Sequence, residues 1–360
     1  MRMVVAGGGT GGHLFPGLAV AEYVAGADAQ SVMFIGSASG IEARVVPLTR
    51  FAFAPLQIHG LRGRGWRGAL QLAGQLPPAV VRAWRILGRF RADIVLGVGG
   101  YASFPVVVAA WLRRVPSVLL EQNAHPGLAN RTLARLAARV CTTFEAANAY
   151  FPSDRVVRTG NPVRAFPPAA TPVGSTAGFA LLVFGGSQGA RRINQAMAEA
   201  APALRAALPG LSIVHQTGAA DRAALAARYA EVGLAAEVRE FIDDMGAAYH
   251  AADLVLCRSG ATTVAELTVL GKPAVLVPYP FAADDHQRAN AREMAERGAA
   301  RLVLDQDLSG ARVAETIVDL AGDRQRLAAM GAAARQLGVP DAAARVAATC
   351  RAVARGGVVG

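Results

Sequence analysis

Two segments of the chain share one pattern, in which a short apolar run leads into a cluster of glycines and then into a helical stretch. Residues 7–12 (GGGTGG) follow the apolar run that begins at Met3, and residues 185–190 (GGSQGA) follow the one that begins at Phe179. Both belong to a longer alternation of β-branched runs and helical stretches, which is typical of parallel sheets with crossover helices. The pattern predicts an α/β protein with two doubly wound, Rossmann-like domains. Ligands of such sheets bind beyond the carboxyl ends of the strands, so we expect a cleft that both domains face.

The predicted strands fall into two groups, separated by a segment rich in proline and glycine. In the first half they lie at residues 3–5, 32–35, 53–58, 93–98, 117–120 and 140–143. In the second half they lie at residues 179–184, 212–216, 238–241, 254–257, 274–278 and 301–304. The prolines and glycines of residues 160–174 oppose both helix and sheet, so this segment is predicted to be a linker. A last helix is predicted at residues 341–354, after Pro340.

The formal net charge of +11 comes almost entirely from arginine, since Lys272 is the only lysine. A charge of this size favours an anionic partner, such as a phosphorylated substrate, an anionic lipid or nucleic acid. An arginine-rich proteome that places arginine on solvated faces would give the same charge. No nucleic-acid-binding motif is present, so we expect no nucleic-acid partner.

The cysteines and the lengths of the apolar stretches indicate the cellular compartment of the protein. Cys141, Cys257 and Cys350 are far apart and lack metal-binding spacing, so we expect buried, reduced thiols in a cytosolic protein. We expect no secretory signal and no membrane span, because stretches such as residues 104–112 have about half of the roughly 20 residues that a span needs. The adjacent Asp284 and Asp285 suggest either a metal or, more simply, complementation of a helix dipole.

The first glycine cluster places His13 at the start of a helix. Glycine lets backbone N–H groups approach an anion, and the helix N-terminus adds partial positive charge, so residues 10–13 are candidates for a pyrophosphate site. Tight turns require glycine for geometric reasons as well. Imidazole titrates near neutrality, so His13 is a candidate general base, although it could equally bond the loop backbone. Neither cluster matches a P-loop, and the first lacks the acidic residue of a dinucleotide fingerprint.

Residues 258–266 (RSGATTVAE) follow a predicted strand and form the most informative segment of the second half. Small residues and free N–H groups at a helix start suit a phosphate. Glu266, about a turn further, is placed to accept the hydroxyls of a ribose. A capping arrangement, with Ser259 or Thr262 as N-cap, explains the same pattern locally.

Two stretches, residues 61–67 and 83–91, mix arginines with large apolar side chains. A basic surface of this kind suits the boundary of an anionic membrane. The alternative is a core-facing helix with a solvated arginine face. The candidate membrane patch consists of Trp66, Trp84, Ile86, Leu87 and Phe90.

Seven ordered motifs together resemble the MurG family of N-acetylglucosaminyltransferases, and the similarity covers nearly the whole chain. They are GGTGGH (8–13), GVGGY (97–101), EQN (121–123), GNPVR (160–164), GGSQGA (185–190), FIDDM (241–245) and RSGATTVAE (258–266). The resemblance implies a GT-B fold of two Rossmann-like domains that face across a cleft. It implies an acceptor and membrane domain at residues 1–161, completed by a returning helix within 341–360, and a UDP-sugar domain at residues 162–340.

The same resemblance implies roles for individual residues. His13 matches the family's favoured catalytic base. Donor contacts fall to Thr10, Gly11, Gly12, Asn123, Arg164, Ser187, Ile242, Ala261, Thr262, Thr263, Val264, Ala265, Glu266 and Gln287. Of these, Ile242 would mark the uracil site and Glu266 the ribose site. The acceptor side would be lined by Tyr101, Glu121 and Asn130. The family has no metal triad, and we expect neither a cofactor nor an essential metal.

The resemblance further implies an inverting transfer of N-acetylglucosamine from UDP-N-acetylglucosamine to the C4 hydroxyl of undecaprenyl-pyrophosphoryl-N-acetylmuramyl-pentapeptide, in peptidoglycan synthesis. The expected location is peripheral, on the cytoplasmic face of the bacterial inner membrane. Anionic inner-leaflet lipids and proteins of cell-wall synthesis or division are the expected partners. Three alternatives stay open: a GT-B transferase for another acceptor, such as a diacylglycerol or a natural product, a nonhydrolysing UDP-sugar epimerase, and a non-enzymatic scaffold that binds UDP-sugar.

Overall fold

The first strand, β1 (Met3–Ala6), is buried along its whole length, as expected for a parallel strand that helices cover on both faces. The structure is a computed structural model that describes residues 1–59, 65–164, 166, 178–186, 190–282 and 285–356, with the backbone alone for residues 65–73. The chain divides into two units: Met1–Arg164 with Val339–Gly360, and Ala165–Gly338. Most of the predicted linker lies outside the described residues.

The described part of the first unit contains one parallel sheet. Its strands are β1, β2 (Val32–Ser37), β3 (Ala52–Leu56), β4 (Ile94–Gly97), β5 (Ser117–Glu121), β6 (Arg139–Thr142) and β7 (Val156–Arg158), in the order β3-β2-β1-β4-β5-β6-β7. Its helices are α1 (Gly11–Ala25), α2 (Glu42–Val45), α3 (Gly65–Phe90), α4 (Ser103–Leu112), α5 (Leu128–Leu133) and α13 (Ala342–Ala354). Because β1 pairs with both β2 and β4, the order reverses at β1, where ligands of such sheets bind.

Alternate side chains of the strands supply two hydrophobic layers, one on each face of the sheet. Val4 and Ala6 pack in the layer that contains Leu87 of α3 and Val106 of α4. Met3 and Val5 point to the opposite face. There the side chains come from α1 and from α13, whose Val346, Cys350 and Val353 are buried. The end of the chain therefore completes the core of the first unit.

The described part of the second unit contains a shorter parallel sheet. Its strands are β8 (Phe179–Phe184), β9 (Leu211–Gln216), β10 (Ala235–Arg239), β11 (Leu254–Cys257), β12 (Ala274–Leu276) and β13 (Ala300–Leu302), in the order β10-β9-β8-β11-β12-β13. Its helices are α6 (Arg191–Ala207), α7 (Arg222–Glu231), α8 (Met245–Ala251), α9 (Ala261–Leu270), α10 (His286–Glu296), α11 (Gly310–Gly322) and α12 (Arg324–Leu337). This is the Rossmann strand order, which reverses at β8 and β11.

The predicted strands agree with the observed ones except near the sheet edges. β7 was not predicted, because its three residues are partly exposed and lack an apolar run. β10 begins three residues before the predicted strand, since its Ala-Ala-Glu sequence is typical of a helix until tertiary pairing with β9 overrides it. None of the described helices has the length and apolar character that crossing a membrane requires.

Candidate functional site

The turn between β1 and α1 consists of glycines in conformations that other residues rarely adopt. Gly7, Gly8 and Gly9 have φ values of 139°, 140° and 87°. A Cβ on Gly7 would lie 2.4 Å from the carbonyl oxygen of Gly99, and one on Gly8 would lie 2.3 Å from the Glu42 carboxylate. The turn is therefore glycine-rich because two neighbouring segments press against it.

Glu42, at the start of α2, lies directly beneath this turn and is 1% exposed. Its carboxylate accepts hydrogen bonds from the backbone N–H of Gly9 at 2.8 Å and of Ser37 at 2.7 Å. The N–H of Gly9 is thus satisfied within the protein, and the carboxylate holds the β1–α1 turn against the end of β2. Glu42 was not among the predicted site residues, although an acidic residue among small and apolar ones, shortly after a strand, was a usable signal.

His13 lies in the first turn of α1, beyond the carboxyl end of β1. Its Nδ1 lies 3.1 Å from Oε1 of Gln122, the residue that follows β5. Gln122 is fully buried, and its Nε2 donates to the carbonyl oxygen of Val98 at 2.8 Å. Gln122 therefore links the residues that follow β4 and β5 to the imidazole of His13, which follows β1. Gln122 stands within the EQN motif but was not among the predicted site residues.

The turn between β4 and α4 packs on the same ring. Gly99 and Gly100 have φ values of 92° and 77°, and a Cβ on Gly99 would lie 3.0 Å from Nδ1 of His13. Only glycine allows this approach, so the imidazole is confined by the Gly99–Gly100 backbone as well as by Gln122. Tyr101 continues the turn, and its ring lies 3.1 Å from the position of a Cβ on Gly9.

The predicted acceptor residues Glu121 and Asn130 are buried and bonded to each other. Nδ2 of Asn130 donates to Oε2 of Glu121 at 2.9 Å and to the carbonyl oxygen of Leu120 at 3.1 Å. Oε1 of Glu121 accepts from the backbone N–H of Asn123 at 3.0 Å. Burial raises the pKa of Glu121, while these N–H donors oppose the rise. The structure brings these residues to the same edge as His13, and their contact with an acceptor stays a prediction.

In the second unit, α9 begins beyond the carboxyl end of β11 with an N-terminus that no side chain caps. The N-cap is Gly260, and neither Ser259 nor Thr262 caps the helix, so the capping explanation of this motif is wrong. Ser259 instead donates from Oγ to the backbone oxygen of Gln287 at 2.8 Å. Oγ1 of Thr262 is buried and has no hydrogen-bond partner among the described residues. N–H groups and a hydroxyl thus converge where an anion is favoured.

Glu266 lies one turn further along α9 and is 7% exposed. Its Oε2 accepts a hydrogen bond from the phenolic hydroxyl of the fully buried Tyr249 at 2.9 Å. Tyr249 comes from α8, and its ring packs edge-on against Phe166 and Phe184. The carboxylate is therefore held in one orientation from beneath. Ile242, the predicted uracil residue, is buried just before α8.

Arg258 joins the carboxyl ends of the strands around this site. Its Nη1 donates to Asp305 at 2.6 Å, to the carbonyl oxygen of Pro278 at 3.0 Å and to that of Val277 at 3.2 Å. Gln287, a predicted donor residue on α10, accepts from the backbone N–H of Tyr279 at 3.0 Å. These bonds tie α10 and the end of β12 to the start of α9.

Several predicted residues are exposed or lie outside the described residues. Ser187 and the side chain of Trp66 are outside them. Thr10 is exposed as the N-cap residue of α1, and Arg164 is exposed at the end of the first unit's main segment. Asp285 precedes α10 and pairs with Arg288 at 3.8 Å. Among the described residues, no group of three or more His, Cys, Asp or Glu is arranged to hold a metal ion.

For two residues, the prediction of a membrane patch is wrong, because their side chains are buried. Leu87 and Phe90 are 1% and 7% exposed, because they follow Ala83 at helical spacing on the side of α3 that faces the core. Ile86 is half-buried and packs against the same core. Trp84 is exposed, and the guanidinium of Arg113 lies 4.2 Å above its ring.

Two doubly wound parallel units, the second with an uncapped helix N-terminus and an oriented carboxylate beyond its strands, define the GT-B class of glycosyltransferase folds. Residues 3–142 match the glycosyltransferase family 28 N-terminal domain, and residues 180–346 match the family 28 C-terminal domain. The chain belongs to glycosyltransferase family 28.

Relatives with known names agree with this membership. The chain is 47% identical over 358 residues to the UDP-N-acetylglucosamine--N-acetylmuramyl-(pentapeptide) pyrophosphoryl-undecaprenol N-acetylglucosamine transferase of Anaeromyxobacter dehalogenans (strain 2CP-C), with 99% of this chain and 94% of the relative covered. The crystal structure of MurG from Acinetobacter baumannii superposes with a TM-score of 0.81 at 33% identity, covering 97% and 98%. The crystal structure of UDP-N-acetylglucosamine 2-epimerase from Neisseria meningitidis has a TM-score of 0.68 at 15% identity, covering 97% and 99%, and shares the fold alone.

Proposed function

We propose that this chain transfers N-acetylglucosamine from UDP-N-acetylglucosamine to the C4 hydroxyl of undecaprenyl-pyrophosphoryl-N-acetylmuramyl-pentapeptide, with inversion at the anomeric carbon. The observation that carries this proposal is the 47% identity over 99% of the chain to a transferase of that name. The product would be the disaccharide-linked lipid of peptidoglycan synthesis.

The second unit supplies the groups that a departing nucleoside diphosphate needs. The N-terminus of α9 presents N–H groups that no described side chain caps, and the buried Thr262 hydroxyl adds a donor for phosphate oxygen. Glu266, oriented by Tyr249, accepts the hydroxyls of the ribose. As negative charge develops on the leaving diphosphate, the fixed N–H groups stabilise it without reorganising. We propose that no metal ion takes part, so activity persists in EDTA.

The first unit supplies the base. His13 removes the proton of the acceptor hydroxyl as that oxygen attacks the anomeric carbon. Glu121, Asn130 and Tyr101 surround the same strand ends and would contact the acceptor sugar.

One assay tests the function against its alternatives. Radiolabelled UDP-N-acetylglucosamine is incubated with the enzyme, with and without the lipid-linked muramyl-pentapeptide. Label that moves into lipid only when this acceptor is present supports the proposal. Conversion of the donor without acceptor would indicate an epimerase, transfer to diacylglycerol would indicate another acceptor, and binding without turnover would indicate a scaffold.

We also propose that the first unit docks on an anionic membrane through the Trp84 surface, which consists of Val81, Trp84, Trp111 and Leu112. These side chains are 44–55% exposed. Val81 and Trp84 lie one turn apart on α3, while Trp111 and Leu112 end α4 next to Arg113, which stacks on Trp84. Arg82, Arg85 and Arg89 of the same helix α3, and Arg114 just after α4, are exposed as well. Apolar side chains ringed by arginine bind lipid headgroups and the acyl boundary together.

The Trp84 surface would place the enzyme on the leaflet that carries its lipid-linked acceptor, peripherally on the cytoplasmic face of the inner membrane. Trp111 and Leu112 were missed in the sequence because they end an apolar helix that is otherwise buried. Division and cell-wall proteins stay predicted partners.

A further inference from the structure

The environment of His13 is organised by a side chain that the proposed function leaves without a role. Gln122 is 0% exposed and follows β5, whereas Val98 follows β4 and His13 follows the turn after β1. β1 pairs with β4 and β4 with β5, so the three residues stand side by side at the carboxyl edge of one sheet. Oε1 of Gln122 lies 3.1 Å from Nδ1 of His13, and its Nε2 lies 2.8 Å from the oxygen of Val98.

The Val98 contact determines which way the Gln122 amide points. A backbone carbonyl oxygen can only accept a hydrogen bond, so the atom that faces it must be the amide nitrogen of Gln122. A flipped amide would place two oxygens against each other in a buried site. The oxygen Oε1 therefore faces His13, and an amide oxygen can only accept. For this contact to be a hydrogen bond, Nδ1 of His13 has to carry a proton.

We propose that Gln122 is a positioning residue that fixes the tautomer of His13, with the proton on Nδ1 and the basic lone pair on Nε2. This inference rests on the proposed function for its catalytic consequence, but the tautomer itself is a property of the free protein. The Gly99–Gly100 backbone confines the ring, and Gln122 selects which nitrogen is protonated. A neutral imidazole without such a partner distributes its proton between both nitrogens, and only one of those forms can act as the base.

The proton balance of the transfer follows from this assignment. Nε2 of His13 accepts the proton of the acceptor C4 hydroxyl while that oxygen forms a bond to the anomeric carbon of the sugar. The bond from the anomeric carbon to the β-phosphate oxygen breaks, and UDP leaves with the electron pair. His13 becomes an imidazolium, retains its Nδ1–H···Oε1 bond to Gln122, and returns the Nε2 proton to solvent after the product departs.

An amide also differs from a carboxylate in its effect on charge. A carboxylate beside Nδ1 would stabilise the imidazolium and keep His13 protonated to higher pH, whereas neutral Gln122 orients the ring without doing so. Ionisable side chains on the elements around the ring include Glu42 and Arg44 on α2, Tyr101 on the β4–α4 turn and Glu121 on β5. They are unchanged in the variants below, so a difference between variants reports on residue 122.

The direct test is nitrogen NMR of the full chain labelled with ¹⁵N-histidine, at a pH where His13 is neutral. The signal of His13 is identified by its loss in His13→Gln. We expect a protonated Nδ1 and an unprotonated Nε2 in the unchanged protein. In Gln122→Met, of similar size, we expect the Nδ1 proton to be shared with Nε2. An Nε2–H tautomer in the unchanged protein, or the same tautomer in Gln122→Met, would overturn the proposal, and the first result does not require Gln122→Met to fold.

Kinetics give the second readout. We expect Gln122→Met to lower kcat by about tenfold, less than the 10²–10⁴-fold that loss of a general base costs, with the KM for donor within twofold. Gln122→Glu should move the acidic limb of the kcat/KM profile to higher pH. Thr142→Val is the matched control, because it removes the side-chain hydrogen bond of a buried threonine at the carboxyl end of the neighbouring β6. An equal loss of kcat in Thr142→Val would reduce Gln122 to a structural residue. Absence of transfer by the unchanged enzyme would instead refute the proposed function and leave the NMR result standing.

Discussion

The carboxylate of Glu42 lies beneath Gly8, and its oxygens accept the backbone N–H groups of Gly9 and Ser37 at 2.8 and 2.7 Å. In a dinucleotide-binding Rossmann fold, the first glycine turn binds a ligand's pyrophosphate. Here the carboxylate of Glu42 accepts the hydrogen bond of one N–H group in that turn. This hydrogen bond holds the turn that leads into Thr10 and His13.

Glu42→Gln should destabilise the protein and lower turnover. An amide can accept one of the two hydrogen bonds but presents N–H to the other donor, which leaves a buried N–H unsatisfied at a cost of about 1–3 kcal/mol. Urea unfolding and kcat measure the two effects. Glu22→Gln, which removes an exposed ion pair with Arg50, is the control and should change stability by less than about 1 kcal/mol. Equal effects of the two substitutions would contradict the role of Glu42.

His13→Ala should reduce kcat by about 10²–10⁴-fold, the usual contribution of a general base, and leave the Kd for UDP-N-acetylglucosamine nearly unchanged. The proposed phosphate and ribose contacts, Thr262 and Glu266, lie in the second unit, so calorimetric titration with the donor separates binding from turnover. His59→Ala alters an exposed histidine and should have normal activity. If His13→Ala turns over within a few-fold of the unchanged enzyme, His13 is not the base.

Tyr249→Phe should weaken donor binding without a large change in kcat. The substitution removes the hydroxyl that orients Glu266, and one neutral-to-charged hydrogen bond is worth about 1.5–3 kcal/mol, so we expect the Kd for UDP to rise roughly tenfold. Tyr229→Phe is matched to it, since Tyr229 is also buried in the second unit and bonds His215 instead. That variant should lose stability but not UDP affinity. Equal UDP affinities in both variants would contradict the role of Tyr249.

The stability of the protein should fall in mild acid because of His215. Burial lowers the pKa of His215 from 6.5 to about 3. Below pH 6.5 the unfolded chain binds a proton at His215, whereas the folded protein does so only near pH 3. The free energy of unfolding therefore decreases as the pH falls from about 6.5 to about 3. At pH 5 the loss from this residue is about 2 kcal/mol. The free energy of unfolding in urea should differ less between pH 8 and pH 5 for His215→Gln than for the unchanged protein or for His59→Gln. An unchanged difference would refute the assignment.

The paired substitution Trp84→Ser and Trp111→Ser should lower binding to anionic liposomes and preserve donor affinity. Leu87 is left unchanged, because truncating a buried leucine lowers the free energy of unfolding by about 2–5 kcal/mol. A loss of liposome binding could then result from unfolding rather than from loss of the Trp84 surface. Leu48→Ser is the control, since Leu48 is exposed but lies outside the Trp84 surface. Sedimentation with liposomes at low and high salt measures the effect, and higher salt should weaken binding further. Unchanged sedimentation of the double variant would show that the surface is misassigned.

The order of strands and helices was largely predictable, because periodicity and turn residues are local properties of a sequence. Phe179–Phe184 and Leu254–Cys257 match the predicted strands residue for residue, since each is an apolar run bounded by turns. β7 was not predictable in this way, because its hydrogen-bond pairing with β6 rather than its composition makes it a strand. Leu87 and Phe90 were misjudged because helical spacing identifies a shared face but not what covers that face.

The amino-acid sequence by itself determined the α/β class, the two glycine turns, the family and the positions of His13 and Glu266, because each depends on short contiguous motifs. Only the tertiary structure decided that Glu42 supports the first turn, that Gln122 faces His13 and that Tyr249 orients Glu266. These partners are 33, 109 and 17 residues apart along the chain. Parallel strands bring such residues to one edge of a sheet, and no local pattern records which side chains then lie within hydrogen-bonding distance.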